Sequence, residues 1–451
     1  MKALKYIRIV LAAVMLTGIT ALLLDTIGLL RHWLGWMPKV QLLPAVLALN
    51  VAVVAVILVV TLLVGRLYCS VVCPLGIFQD IVTWFHKIIF GKKRPYRYRK
   101  PQNWLRYTVL AVFVVLMVAG LGSIAALVAP YSAYARMVTH LHGSGLAQGV
   151  AIATLCCVGV MSFIWGRLWC NTLCPVGSLL GLISRYRILG IRIDANKCGG
   201  CRKCEKACKA MCIDVDSKTV DHSRCVDCFN CLGECNAKAI KFSLKDFKDP
   251  KDPKDLKDPS RRRFVAGSVA VGVAMAAQAQ EQKMDGGLAA LAHKSVPDRQ
   301  TPLKPAGAKS LKHFSAHCTS CQLCVSQCPE HVLRPSTGLM TLLQPEISYA
   351  EGYCRTACTR CGEVCPTGAI LPLTKEEKTA VSIGVAVVLK DNCIGCGACA
   401  RHCPAEAIVM VDGRPAVNES RCLGCGACEY YCPARPVTAI YVEGKQIHTE
   451  I

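Results

Sequence analysis

Residues 392–404 read Asn392-Cys393-Ile394-Gly395-Cys396-Gly397-Ala398-Cys399-Ala400-Arg401-His402-Cys403-Pro404. Four cysteines fall in the spacing C-x2-C-x2-C-x3-C, with a proline after the last. The same spacing recurs at Cys198, Cys201, Cys204 and Cys208, at Cys225, Cys228, Cys231 and Cys235, at Cys318, Cys321, Cys324 and Cys328, and at Cys422, Cys425, Cys428 and Cys432. A further set, Cys354, Cys358, Cys361 and Cys365, carries one extra residue in its first gap. The chain has 451 residues and 31 cysteines. It is too long for a small disulfide scaffold, and an odd count cannot pair completely into disulfides, so metal ligation is the better reading.

A triplet this tight wraps three thiolates around one face of an iron-sulfur cube and points the fourth away, toward a neighbouring cluster. The sets should therefore work in pairs, giving six [4Fe-4S] clusters. Structural zinc is the competitor, but its usual pattern separates two short cysteine pairs by a longer arm. Pro329, Pro366, Pro404 and Pro433 follow the fourth cysteine as in bacterial ferredoxins, whereas the first two sets have Lys209 and Asn236 there, with an extra Cys212 nearby. Those first two sets should share clusters. For the last four, sequential and nested pairing compete, and the ferredoxin-like run Asp391 to Val442 favours the sequential scheme. The formal charge of +23 does not imply nucleic acid, because thiolate ligation offsets part of it and much of the rest flanks apolar runs.

Upstream of these loops the composition changes. All six tryptophans lie in the first 170 residues. Four apolar runs, about Ile7 to Leu30, Leu42 to Val64, Leu105 to Ala129 and Leu146 to Trp165, each have the length of a membrane-spanning helix. The segment from His86 to Arg106 holds Lys87, Lys92, Lys93, Arg94, Arg97, Arg99, Lys100 and Arg106, while Pro130 to Gly145 holds only Arg136. The positive-inside bias then puts both ends of the four-helix unit in the cytoplasm. A cleaved secretory signal does not suit the first run, which is long and lacks a small-residue cleavage site. Asp25 is either functional or at the water-exposed end of its span. His140 and His142, after Tyr131, Tyr134 and Arg136, form a weak proton-accepting neighbourhood, and Cys156 and Cys157 read as packing residues.

Two further motifs match each other: Gly65-Arg66-Leu67-Tyr68-Cys69-Ser70-Val71-Val72-Cys73-Pro74-Leu75-Gly76 and Gly166-Arg167-Leu168-Trp169-Cys170-Asn171-Thr172-Leu173-Cys174-Pro175-Val176-Gly177. The membrane half is thus an internal duplication of helical hairpins, each ending in C-x3-CP. Bringing the repeats together would collect Cys69, Cys73, Cys170 and Cys174. These could hold a further cluster, exchange thiol and disulfide, border a quinone site, or simply pack.

The expected architecture is a membrane α-helical unit of four transmembrane helices, residues 1–190, fused to α+β bacterial-ferredoxin-like domains. Residues 191–243 would be a cytoplasmic two-cluster domain. Residues 244–312 begin with the charged spacer Leu244 to Pro259. Ser260-Arg261-Arg262-Arg263-Phe264-Val265-Ala266 and a run ending Ala277-Gln278-Ala279 follow. That stretch reads as a twin-arginine export signal or as a fifth helix, and either carries residues 313–451, the four-cluster domain, to the periplasm. A soluble linker helix would keep that domain in the cytoplasm. The remainder up to Lys312 reads as loop-like.

With these motifs in hand, residues 1–243 resemble the NapH type of membrane ferredoxin, and residues 260–451 resemble the NapG type of exported polyferredoxin. The resemblance implies a quinol dehydrogenase module in the bacterial inner membrane, passing electrons from the quinone pool to a periplasmic reductase or cytochrome. The C-x3-CP motif also occurs in nitrous-oxide-reductase accessory proteins and a cytochrome oxidase assembly factor. The flavin domain of the former is not expected here, since six residues precede the first run. A maturation factor that reduces a metal or a disulfide is the rival reading, and a membrane-anchored ferredoxin store is a third. No acid, base and nucleophile stand at catalytic spacing, so the chain is either a quinol dehydrogenase subunit or a non-catalytic carrier.

Overall fold

The computed structural model describes residues 2–25, 28–90, 96–141, 145–244, 294–338 and 341–450. The charged spacer, the twin-arginine segment and His142 lie outside the described residues.

The first helix, Lys2–Leu24, has an apolar sequence in which the hydroxyls of Thr17 and Thr20 donate back to the carbonyls of Ala13 and Leu16. The hydroxyls of both threonines are thereby satisfied within the helix. It stops at Asp25, whose carboxylate accepts the N–H groups of Gly28 and Leu30. Asp25 therefore closes a turn at the helix end. The first helix and Gly145–Trp165 are long and apolar enough to cross a membrane.

The two middle runs do not form single helices of spanning length among the described residues. The Leu42 to Val64 run breaks where Leu49 adopts a left-handed φ of 53° and the Asn50 side chain caps the helix Val51–Leu63 by accepting from the Val53 N–H. The Leu105 run ends as the helix Asn103–Val118, before Gly120 at φ 76°. At 1.5 Å per residue these pieces reach only about 20 and 24 Å, against a hydrocarbon core of about 30 Å. Valines and isoleucines such as Val10, Val56, Val115, Ile152 and Val160 are exposed along these helices, an apolar surface unlike that of a soluble monomer. Cys156 and Cys157 lie on it, so they do not pack inside as expected. The Gly145–Trp165 helix presents them outward.

The N-terminal end of the first helix and the Trp165 end of the other long helix define the proximal end of this unit. There the antiparallel pair Leu189–Ile193 and Ile240–Leu244 encloses the first two cysteine loops and the hairpin of Ile213–Asp214 with Thr219–Val220. The opposite, distal end meets the C-terminal unit, which holds three more antiparallel pairs, including Val381–Val388 with Ile440–Glu450. Gln327 donates to the carbonyls of Leu22 and Asp25, and Arg31 pairs with Glu363 at 2.7 Å. Residues 294–312, expected to have little structure, instead run along this unit. Leu303, Lys304 and Ala308 are buried, and Arg299 holds the buried Glu429.

Candidate metal centres

Five groups of cysteines assemble three plus one, while Cys204 stands near Cys198 and Cys201 of its own triplet. Cys208 leaves its own triplet and lines a cavity with Cys225, Cys228 and Cys231. Cys365 joins Cys318, Cys321 and Cys324, and Cys432 joins Cys393, Cys396 and Cys399. Cys328 stands close to Cys354, Cys358 and Cys361, and Cys403 close to Cys422, Cys425 and Cys428. Sets three and four thus exchange their fourth cysteines, as do five and six, which is the sequential scheme. The backbone N–H of Cys354 donates to the carbonyl of Cys425 at 2.9 Å, so the two pairs adjoin. In the first pair Cys212 intrudes, its sulfur 3.5 Å from that of Cys208. Among the described residues no three His, Cys, Asp or Glu side chains converge tightly enough for a single ion. The sulfurs surround a space, which fits a cube better than a zinc ion.

The backbone explains how such short loops close. The residue after the second cysteine is left-handed in all five regular sets, at Arg202 (56°), Phe229 (59°), Gln322 (63°), Gly397 (68°) and Gly426 (81°). So is the residue before it, at Gly200, Asp227, Ser320, Gly395 and Gly424. Left-handed turns of this kind gather successive N–H groups into a concavity that suits an anion, a device found at many iron-sulfur sites. The set with the extra residue departs from the pattern, with Thr359 at φ −112°. There Lys378 donates to the Cys354 sulfur at 3.3 Å.

The twin repeats are built differently. Their cysteines sit on and just after the short helices Tyr68–Val71 and Leu168–Thr172, and Pro74 and Pro175 open the next helices. Cys69, Cys73, Cys170 and Cys174 converge and are only 2–3% exposed. The repeats exchange arginines. Arg66 donates to the Cys170 carbonyl at 3.0 Å and Arg167 to the Cys69 carbonyl at 2.8 Å. Gly76 and Gly177 lie so close to those same carbonyls that a side chain on either would run into them, which accounts for the glycine closing each motif.

Charge around this quartet is unbalanced. Arg167, Arg8 and Lys209 all pair with Asp80. Burial opposes ionisation of Asp80, but Arg167, Lys209 and Arg8 outweigh it and hold the carboxyl well below the usual carboxylate range. Arg66 bonds to Asn171, to the carbonyls of Ser223 and Cys170 and to the Cys69 sulfur, with no carboxylate among these partners. Three buried cations share the single carboxylate of Asp80, an arrangement that accommodates further negative charge. Cys170 is pushed below its ordinary value by Cys174 and, against burial, by Arg167 and Arg66. The donor set fits an anionic thiolate-bound cluster.

At the distal end, Tyr131 and the buried Arg136 lie near Cys321. Arg136 donates to the carbonyls of Ala126 and Leu127 at 3.0 Å. Their helix, Pro130–Thr139, packs against the first helix, Pro74–Phe90 and Gly145–Trp165. His140 is buried beside Gln322 and Arg136. Nothing local in the sequence marks Asp80 or the role of the motif arginines, and Lys209 stands out there only as the residue in place of proline after Cys208. The recurrence of Arg66 and Arg167 at one repeat position was a usable signal. Asp80 offered none, since its counterpart in the second repeat is Gly181, whose space Arg106 fills.

Comparisons with known proteins agree with this geometry. A 4Fe-4S binding domain model matches residues 46–93 and again 148–193, one match for each twin repeat. Models of 4Fe-4S dicluster domains match residues 317–370 and 392–435. The chain is 29% identical over 202 residues to the ferredoxin-type protein NapH of Escherichia coli, covering 43% of this chain and 67% of that one. It is similar to the NapH-type ferredoxin proteins. An uncharacterized protein of Methanocaldococcus jannaschii is 31% identical over 187 residues, 41% of this chain and 68% of the relative. The methylamine utilization ferredoxin-type protein MauN of Paracoccus denitrificans is 31% identical over 149 residues, 33% and 48% of the two chains. The chain thus spans from about half to about two thirds of the length of these relatives. No solved structure matches. The matched domain models make this a ferredoxin-type iron-sulfur protein with 4Fe-4S clusters.

Proposed function

We propose that the chain is a quinol-fed electron conduit, a NapH-type unit fused to a NapG-type unit, that serves a reductase or cytochrome across the bacterial inner membrane. The observation that carries this reading is the order of the cysteine sets. Two lie at the proximal end, four run outward from the distal end, and the buried quartet of Cys69, Cys73, Cys170 and Cys174 lies in the unit between them. Each of the six ferredoxin sets, with its exchanged fourth cysteine, holds one [4Fe-4S] cluster, and the quartet holds a seventh.

Bound clusters supply one-electron transfer with no bond made in the protein. The chain's own side chains do the rest. Arg66, Arg167, Lys209 and Lys378 favour the more negative, reduced state of the groups beside them, and burial of the quartet keeps water out. The helical unit crosses the bilayer with its Arg97 and Arg99 end in the cytoplasm. The segment from Ser260 to Ala279 carries the four-cluster unit to the periplasm. There the loop with Cys396 and Ile394, both exposed, meets the acceptor.

Full-length protein in liposomes, supplied with menaquinol or ubiquinol and an electron acceptor that cannot cross the membrane, tests this. The expected result is quinol oxidation with about 28 iron atoms per chain, four per cluster, falling to about 24 in Cys69→Ser/Cys170→Ser together with loss of transfer. Quinol left unoxidised by fully iron-loaded protein overturns the reading. In a strain lacking the chain, the conduit predicts a fully metallated but electron-starved reductase, and a maturation factor predicts an under-metallated one.

A further inference from the structure

We propose that the quinol ring binds in the cavity formed by His86, Tyr96, Phe163, Trp165, Arg99 and Met211, where His86 accepts one of its protons. The proposal rests on the quinol reading above and deepens it by assigning the site.

The cavity has a volume of about 330 Å³, within the range of small-molecule sites. Its walls suit a flat ring. The His86 imidazole stacks on Tyr96 with centroids 4.8 Å apart and planes 24° apart, and it meets Phe163 edge-on at 5.1 Å and 78°. The Tyr96 hydroxyl donates to the carbonyls of Ser162 and Phe163, both at 3.3 Å, which ties the basic segment to the end of the long helix. The Arg99 guanidinium lies 5.7 Å over the Trp165 ring. Among these aromatic walls the buried His86 imidazole is the side chain whose ring carries a nitrogen able to accept a proton.

Two neighbours make the cavity a redox site instead of a gap. Ile164 lines it and is exposed, as are Ile88 and Ile89 at the end of the adjoining helix, so a lipid-borne tail has an apolar way in. On the other side Met211 lines the cavity, while Ala210 and Cys212, directly before and after it, line the space enclosed by Cys208, Cys225, Cys228 and Cys231. The two cavities share a single short stretch of backbone.

Oxidation of the quinol breaks two O–H bonds and converts both ring C–O bonds to carbonyls. The oxidant would be the iron-sulfur cluster that Cys208, Cys225, Cys228 and Cys231 would hold, a one-electron acceptor that would take the two electrons in turn. One proton goes to the His86 imidazole and the other to water at the mouth beside Arg97 and Arg99.

Holo-protein in lipid nanodiscs tests the assignment, with 2-heptyl-4-hydroxyquinoline N-oxide as probe, binding followed by calorimetry and quinol oxidation followed separately. Ile164→Trp, which fills the mouth from the lipid side at an exposed position, should weaken probe binding at least tenfold. His86→Phe should keep binding within threefold yet slow quinol oxidation at least tenfold. In both variants the iron content and the dithionite-reducible absorbance should match wild type. Wild-type binding and turnover in both variants overturn the site. So does competition for the probe by cardiolipin but not by quinone, which would make it an anionic lipid site. Wild-type protein that binds the probe here but leaves quinol unoxidised instead overturns the quinol reading.

Discussion

The ferredoxin loops and the twin C-x3-CP repeats both gather thiols, but they meet the charge of a bound anion by opposite means. The loops use their own backbone, with left-handed residues on both sides of the second cysteine that turn N–H groups inward. The repeats sit on and between helices, where those N–H groups are largely committed to the helix, and they import guanidinium groups, each from the other repeat. The first device is local and can be copied along a chain. The second exists only when two hairpins separated by about a hundred residues meet, and it leaves several buried cations dependent on Asp80 and on whatever the thiols bind.

This contrast can be broken at three places. Asp80→Asn should have the largest effect. It leaves Arg8, Arg167 and Lys209 buried without their acid and should cost about 3–5 kcal/mol, read by chemical unfolding in detergent; a loss under about 1 kcal/mol would mean the cations are compensated elsewhere. Gly76→Ala and Gly177→Ala press a methyl group into the carbonyls of Cys69 and Cys170. Each should destabilise by about 1–3 kcal/mol and deplete iron from the quartet while sparing the six ferredoxin sets, as a site-resolved spectrum would reveal. Smallest should be Arg202→Gly in a ferredoxin loop. It relieves a left-handed residue and gives up an exposed pair with Asp216, so stability should move by no more than about 1 kcal/mol with iron content unchanged. An iron loss there comparable to that of the glycine variants would erase the distinction.

The other attachments follow the same division. The proximal ferredoxin pair is joined to the helical unit by buried groups such as Arg66, Arg106 and Arg187, the last paired with the equally buried Asp227 at 2.7 Å. The distal unit is joined in part by the half-exposed pair Arg31 and Glu363.

Spacing by itself disclosed the six cysteine sets, the exchange of their fourth members and the duplication in the helical half, because each depends on residues a few positions apart whose covalent chain limits their reach. The break at Leu49 and Asn50 was not legible in the same way, since an apolar run reads alike whether or not one residue turns left-handed within it. Neither the pairing of Asp80 with three distant cations nor the adjacency of the His86 cavity to the Cys208 set has a local signature. Both arise from side chains brought together across the fold, where burial raises the cost of an unpaired charge and so selects partners that chain order does not announce.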